Sequence, residues 1–146
     1  MSDVERNIDV VRRLEDLYNR REYAGLGDLV RDDLVAHTPS SDQRPQNNEG
    51  LIANNEGAYS GFPDKRTEIL DLFGEGDRVV ARIHQTGTNT GGLPWFELPA
   101  NDAKVDFEWV QISRHDADGK LAETWTQMET PKLMMQLGVM PAPEGM

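Results

Sequence analysis

The chain has 146 residues, a length suited to one domain, and 37% of them are hydrophobic, enough for one core. A net charge of −11 with a pI near 4.6 excludes nucleic acid and anionic membrane surfaces as expected partners. The absence of cysteine excludes disulfides, thiolate nucleophiles and Cys-ligated metals.

Fourteen Asp and twelve Glu stand against eleven Arg and four Lys. This balance fits either an ordinary acidic protein or one adapted to high salt. The start, Met1 to Arg6, is charged and carries no apolar signal-peptide core, and no apolar run reaches bilayer-spanning length. A cytoplasmic location is therefore expected.

Ser2 and Glu5 have capping-box spacing, and Val4, Ile8, Val11, Leu14 and Tyr18 recur at three and four residues. This predicts an amphipathic helix from Asp3 to about Arg21, ended by Gly25 and Gly27. Asp28 opens a short second helix towards Asp33, and Leu34 to His37 forms a strand stopped at Thr38-Pro39. Ser40 to Asn48 is polar and is expected to be a loop; Glu49 to Tyr59 is a weak helix.

Thr67 to Phe73 and Arg78 to Thr88 alternate as strands around the glycine-bearing turn Gly74-Glu75-Gly76-Asp77. In the second strand Val79, Ala81 and Ile83 lie opposite Val80, Arg82 and His84. An irregular excursion, Leu93 to Ala103, precedes a long strand, Lys104 to Arg114. After the turn Asp116 to Gly119 comes a last strand in which Leu121, Glu123, Trp125, Gln127 and Glu129 share one parity. An indole, an amide and carboxylates on one face suggest that this face lines a cavity. Pro131 and Gly138 bracket a last helix, and Pro141 to Met146 is a loose tail. Helices first and then a strand meander give an α+β domain, with N-terminal helices packed on a curved antiparallel or mixed sheet.

Several segments, in this order, resemble the SnoaL-like polyketide cyclase, or ester cyclase, family. They are Val10 to Arg21, His37-Thr38-Pro39, Phe62-Pro63-Asp64, Gly74 to Arg82, Thr86 to Gly91, Asp118 to Trp125, Glu129, and Gln136-Leu137-Gly138. The resemblance runs from about residue 4 to 141 within a single domain, 1–146. It implies the cone-shaped α+β barrel of the nuclear transport factor 2-like superfamily. It also implies intramolecular aldol cyclisation without metal or organic cofactor. An acidic residue four positions after the Trp, here Glu129, would be the general acid/base, and His37 would sit at the pocket. The chain departs from the family pattern at three places. Glu129 replaces an Asp, Thr124 stands where a His precedes the Trp, and Asn89 replaces the central His of Gly-Thr-His-Thr-Gly.

The residues themselves allow this chemistry. A carboxylate buried against Trp125 suits proton abstraction beside a carbonyl, although a strand-end Glu129 is equally a solvated acid. His37 either orients a substrate oxygen or plays a structural part. Arg82 beside His84 either stabilises an enolate or belongs to a solvent-facing row, and His115 is expected at the surface. Trp125, Trp109, Tyr18 and Phe62 are candidate lining residues, with Asn89 and Gln127 as polar contacts. The histidines His37, His84 and His115 have no metal-ligand spacing, so no metal and no cofactor are expected. Met128, Met134, Met135 and Met140 suit a pocket rim or a subunit interface. The expected function is acid/base chemistry on a small, largely apolar carbonyl compound in the cone, as cyclisation or isomerisation. The alternatives are a non-catalytic binder on the same fold and a hydrolase or hydratase. A homodimer through the outer face of the sheet is expected.

Overall fold

A computed structural model describes residues 1–38 and 41–143, with only the backbone described for residues 41–45. Pro39, expected to stop the first strand, lies outside the described residues, as do Ser40 and the last three residues of the expected tail. Helix α1 spans Asp3–Arg20; the Ser2 hydroxyl accepts from the Glu5 amide at 3.1 Å, as the capping spacing predicts. It ends earlier than the glycines suggest, because Arg21 itself takes a left-handed conformation and closes the last turn. Helix α2 is Leu26–Leu29, displaced N-terminally from the expected position, with Gly25 at φ 87° as its entry.

Strand β1 covers Val30–Thr38 and β2 covers Ser41–Gln46. The polar stretch expected to be a loop is thus an edge strand, which tolerates Pro45 because an edge leaves one side of the ladder open. Helix α3 (Asn48–Gly61) is capped by the Asn47 side chain, which accepts from the Gly50 amide at 2.7 Å. Strands β3 (Arg66–Glu75), β4 (Arg78–Thr88), β5 (Lys104–His115) and β6 (Leu121–Met128) form the expected meander, and α4 spans Thr130–Leu137.

Among the described residues six strands form one sheet in the order β2-β1-β6-β5-β4-β3, with β1 running parallel to β6 and the other pairs antiparallel. The expectation of a closed, cone-shaped barrel is corrected here. Among the described residues β2 and β3 are opposite edges that do not pair, and the sheet is neither closed nor strongly curled. The inner face is covered by helices rather than by strand closure: α1 packs on β3 and β4, while α3 reaches β1. The α+β class stands.

Strand parity separates two faces. Val79, Ala81 and Ile83 of β4 point inward to meet Val11, Leu14, Leu26 and Leu34, all 5% exposed or less. Burying each of the Val, Leu and Ile side chains contributes about 1.5–3 kcal/mol. A second cluster, Phe62, Leu93, Val105, Phe107, Leu133 and Leu137, fixes α4 and the 89–103 excursion against the end of β5. The excursion comes so close to α3 that a Cβ on Gly91 would stand 1.7 Å from the Ser60 carbonyl oxygen. Only glycine fits there.

Candidate active site

A cavity of about 340 Å³ lies between the helices and the inner face of the sheet. Its helical wall is Leu14, Glu15 and Tyr18 of α1 with Leu51, Asn55 and Ala58 of α3. Its sheet wall includes Leu34, Trp109, Leu121, Thr124, Thr126 and Met128. Lys65 and Thr67, at the start of β3, complete the end nearest Glu15. Most of this lining is apolar or neutral, and its charged side chains are Glu15 and Lys65.

Glu15 reaches the cavity because it lies four residues after Val11 and three before Tyr18, on the buried side of α1. It is 9% exposed, and burial raises its pKa above the ordinary carboxylate value; a hydrogen bond from Thr67 and the charge of Lys65 oppose this in part. Thr67 Oγ1 lies 3.0 Å from Glu15 Oε2 and 3.1 Å from Asn19 Oδ1. Asn19 is itself fixed: its side-chain N–H donates to the Thr67 carbonyl at 3.0 Å, and its oxygen accepts from the Thr67 amide at 3.1 Å.

Lys65 Nζ donates to Asn55 Oδ1 at 3.2 Å and stands 4.7 Å from the centroid of the Tyr59 ring. Burial lowers its pKa, against a smaller opposing pull from Glu15. Asn55 is held in turn by the Tyr18 carbonyl at 3.0 Å and the Tyr23 hydroxyl at 2.8 Å. Tyr18 has a pKa raised by burial first, then by the nearby Glu15. Trp109 is oriented by its indole N–H, which donates to Gln85 Oε1 at 3.1 Å.

Of the residues expected at the site, Tyr18 and Trp109 line this cavity; the others do not. On β6 the parity is inverted relative to expectation. Thr124, Thr126 and Met128 face the cavity, whereas Glu123, Trp125 and Gln127 share the opposite, outer face. The register opposes Arg114 to Glu123 and His115 to Leu121, so Ala122 is an extra residue, and Leu121 turns inward despite sharing Trp125's parity.

Glu129 follows the end of β6 and stands away from the cavity lining. Its carboxylate accepts from the Glu108 amide at 3.1 Å and pairs with Lys132 at 3.4 Å, with 42% of the side chain exposed. His37 lies on the outer face, its ring stacked on Trp125 at 5.2 Å, and Nε2 meets Glu123 Oε2 at 2.8 Å. That contact, followed by one from Arg114, lowers the Glu123 pKa. Arg78 covers the Trp125 ring at 4.8 Å. Arg82 is also on the outer face, between Asp71 at 2.6 Å and Glu108.

Phe62 is 6% exposed in the second core cluster. Asn89 is completely buried and structural. Its amide donates to the Pro99 carbonyl at 3.2 Å and Asn101 Oδ1 at 2.9 Å, while its oxygen accepts from the Gly92 amide at 3.0 Å. His115 is not at the surface: it is 2% exposed, hydrogen-bonded to Ser113 Oγ at 2.9 Å and the Gly119 carbonyl at 2.8 Å. Among the described residues no group of His, Asp or Glu is arranged to hold a metal ion.

Sequence reasoning missed Glu15 and Lys65. The signal for Glu15 was present, since it is a charged residue on the apolar stripe of α1. Lys65 carried no such mark, because it lies in the turn after Phe62-Pro63-Asp64.

No curated protein matches the chain. Among solved structures, AclR of Streptomyces galilaeus, provisionally a hydroxylase, superposes with a TM-score of 0.81 at 23% identity, over 97% of this chain and 87% of that one. IdmH of Streptomyces antibioticus, provisionally a polyketide cyclase, gives 0.77 at 24% identity, over 90% and 98%. A SnoaL-like polyketide cyclase from Agrobacterium tumefaciens gives 0.74 at 22% identity, over 89% and 96%. At these identities the likeness is one of fold. The model of the SnoaL-like polyketide cyclase family matches residues 8–137, and the chain belongs to that family, within the nuclear transport factor 2-like superfamily.

Proposed function

We propose that the chain is an enzyme that binds a small, largely apolar carbonyl compound in the cavity and moves a proton next to the carbonyl, as cyclisation or isomerisation requires. The observation that carries this reading is Glu15, a buried carboxyl group with a raised pKa in a cavity otherwise lined mainly by apolar and neutral side chains. Such a group holds its proton to higher pH than a surface acid, as a general acid/base in a cavity requires. Among the described residues no hydrogen bond reaches the Tyr18 hydroxyl, which supports its use as donor to a ligand oxygen. Trp109, set by Gln85, offers a flat apolar wall.

The acid/base role expected at Glu129 is assigned instead to Glu15, because Glu129 is bound to the β5 backbone and Lys132 away from the cavity. The test is enzyme-dependent incorporation of deuterium next to the carbonyl of cyclohexanone in heavy water, followed by NMR. Exchange that is lost in Glu15→Gln supports the reading. Saturable binding of the ketone without exchange would instead make the chain a non-catalytic binder.

We also propose a homodimer through the outer face of the sheet. Phe73, Val80, Ile112, Trp125 and His37 are in register across β3, β4, β5, β6 and β1. Phe73 is 58% and Ile112 36% exposed, and with Val80 between them they form an apolar row that a second copy would cover, with His37 at its polar boundary.

A further inference from the structure

We propose that Lys65 forms a covalent imine with the ligand's carbonyl carbon, with Glu15 as the proton donor and acceptor for that step. The inference rests on the carbonyl-binding reading above and names the group that would activate the carbonyl. Lys65 and Glu15 line the same end of one cavity. The amine is held by a neutral amide, Asn55, and an aromatic face, Tyr59. Among the described residues the ion pair that uses a lysine is Lys132 with Glu129, and no carboxylate lies within ion-pair distance of Lys65. Lys65 is partly buried with no carboxylate in direct contact, and burial lowers its pKa against a smaller pull from Glu15, which favours the neutral, nucleophilic form. The other three lysines differ: Lys104 and Lys132 are exposed, and Lys120 follows the Gly119 turn far from the cavity lining.

The chemistry balances without oxidant or reductant. The Lys65 lone pair forms a C–N bond to the carbonyl carbon, and the nitrogen proton passes to the oxygen, giving a carbinolamine. Glu15, protonated, gives its proton to the hydroxyl; the C–O bond breaks, water leaves and an iminium remains. The Glu15 carboxylate left behind then removes a proton from the adjacent carbon, producing an enamine poised to attack a second carbonyl. Hydrolysis returns the lysine. The positive iminium would stabilise the carboxylate across the cavity at the moment when it acts as a base.

The experiment incubates the full chain with cyclohexanone and sodium cyanoborohydride near neutral pH, then maps adducts by mass spectrometry. Hydride reduces an iminium to a stable secondary amine. The expected result is one adduct, on Lys65, forming at least tenfold faster than on Lys104, Lys120 or Lys132. Glu15→Gln should slow it tenfold or more. Lys65→Arg and Lys65→Met, checked for folding by circular dichroism, should lose deuterium exchange at least a hundredfold. Adducts spread evenly over the four lysines, or no adduct, would overturn the proposal, as would full exchange in either folded variant. If Glu15-dependent exchange persists without a Lys65 adduct, the imine fails and the carbonyl reading stands. If neither exchange nor ketone binding occurs, both fail.

Discussion

Glu15 and Thr67 meet at the end of the cavity with one proton too few for their neighbours. Thr67 Oγ1 lies within hydrogen-bond distance of two acceptor oxygens, Glu15 Oε2 and Asn19 Oδ1. The Asn19 amide cannot turn to help, because its nitrogen is used by the Thr67 carbonyl and its oxygen by the Thr67 amide. A hydroxyl carries a single hydrogen. While Glu15 is ionised, Thr67 can donate to it; once Glu15 is protonated, its own O–H can turn to Thr67 Oγ1 and release the threonine hydrogen to Asn19. The second arrangement agrees with the upward pKa shift that burial produces.

Glu15→Gln should therefore reduce α-deuterium exchange by about 10²–10⁴-fold, the usual worth of a positioned acid/base. Glu129→Gln should change it by less than about twofold. Stability gives an independent readout with a definite sign. The folded pKa of Glu15 lies above its unfolded value of 4.5, so its contribution is complete below pH 4.5 and is lost as pH rises through the folded value. Thermal melts should show the variant gaining on the parent as pH rises above 4.5. A constant difference across pH would refute the protonated carboxyl.

Asn89→Ala should destabilise the protein by about 2–5 kcal/mol in urea unfolding. Removing the side chain strips three partners, Pro99, Asn101 and Gly92, from a residue with no solvent access. Each buried polar group left unpaired costs about 1–3 kcal/mol, and relaxation recovers part of the total. Asn89 also carries the loop through its backbone: its N–H donates to the Ala103 carbonyl at 2.9 Å and its carbonyl accepts from Asp102 at 3.0 Å. Those bonds survive the substitution. The loop should remain attached, and ketone binding should change little.

The end of α1 is tied to α3 by charge. Arg21 places Nε 2.8 Å and Nη2 2.7 Å from the two oxygens of Glu56, and the Tyr23 hydroxyl donates to the same carboxylate at 2.6 Å. The Arg21 contact first, then Tyr23, holds the Glu56 pKa down to about 2. A depressed folded pKa contributes stability that is present above pH 4.5 and is lost as pH falls towards about 2. Parent and Glu56→Gln should thus converge in melting temperature across that acid window. The pair is exposed, so the difference above it should shrink in high salt.

These partners illustrate how much of the molecule the sequence displays. Local signals were strong where one residue type does one job: the Ser2 cap, the stripe of α1, and the alternation of β4, whose bounds Arg78–Thr88 match expectation. Alternation also identified which β6 residues travel together, but not which side they take. Trp125 and Gln127 looked like a cavity face because the outer face carries aromatic side chains too, while the true inner residues Thr124 and Thr126 are small and polar. Period two groups residues; only the register with neighbouring strands orients them. The parallel pairing of β1 with β6 and the edge strand β2 are long-range facts with no local mark. Family likeness pointed to Glu129, whereas a buried charge on α1 is visible only by asking which residue interrupts the apolar stripe.

The outer face provides the last prediction. Its apolar row is bounded on one side by the Arg114–Glu123–His37 contacts and on the other by Arg82 with Asp71 and Glu108. Charges that already satisfy one another within the chain need no partner, so the energy of association must come from Phe73, Val80 and Ile112. A stable isologous interface buries about 800 Å² per subunit, which requires the row and its flanks together. Ile112→Asp places a carboxylate at the centre of that row, opposite Trp125 and Val80. Desolvating it against a second copy should weaken association by at least about a hundredfold, because an unpaired buried charge costs about 3–5 kcal/mol. Light scattering coupled to size exclusion should then report a dimer for the parent and a monomer for the variant, with cavity binding of cyclohexanone retained. A parent that elutes as a monomer at high concentration would refute the interface.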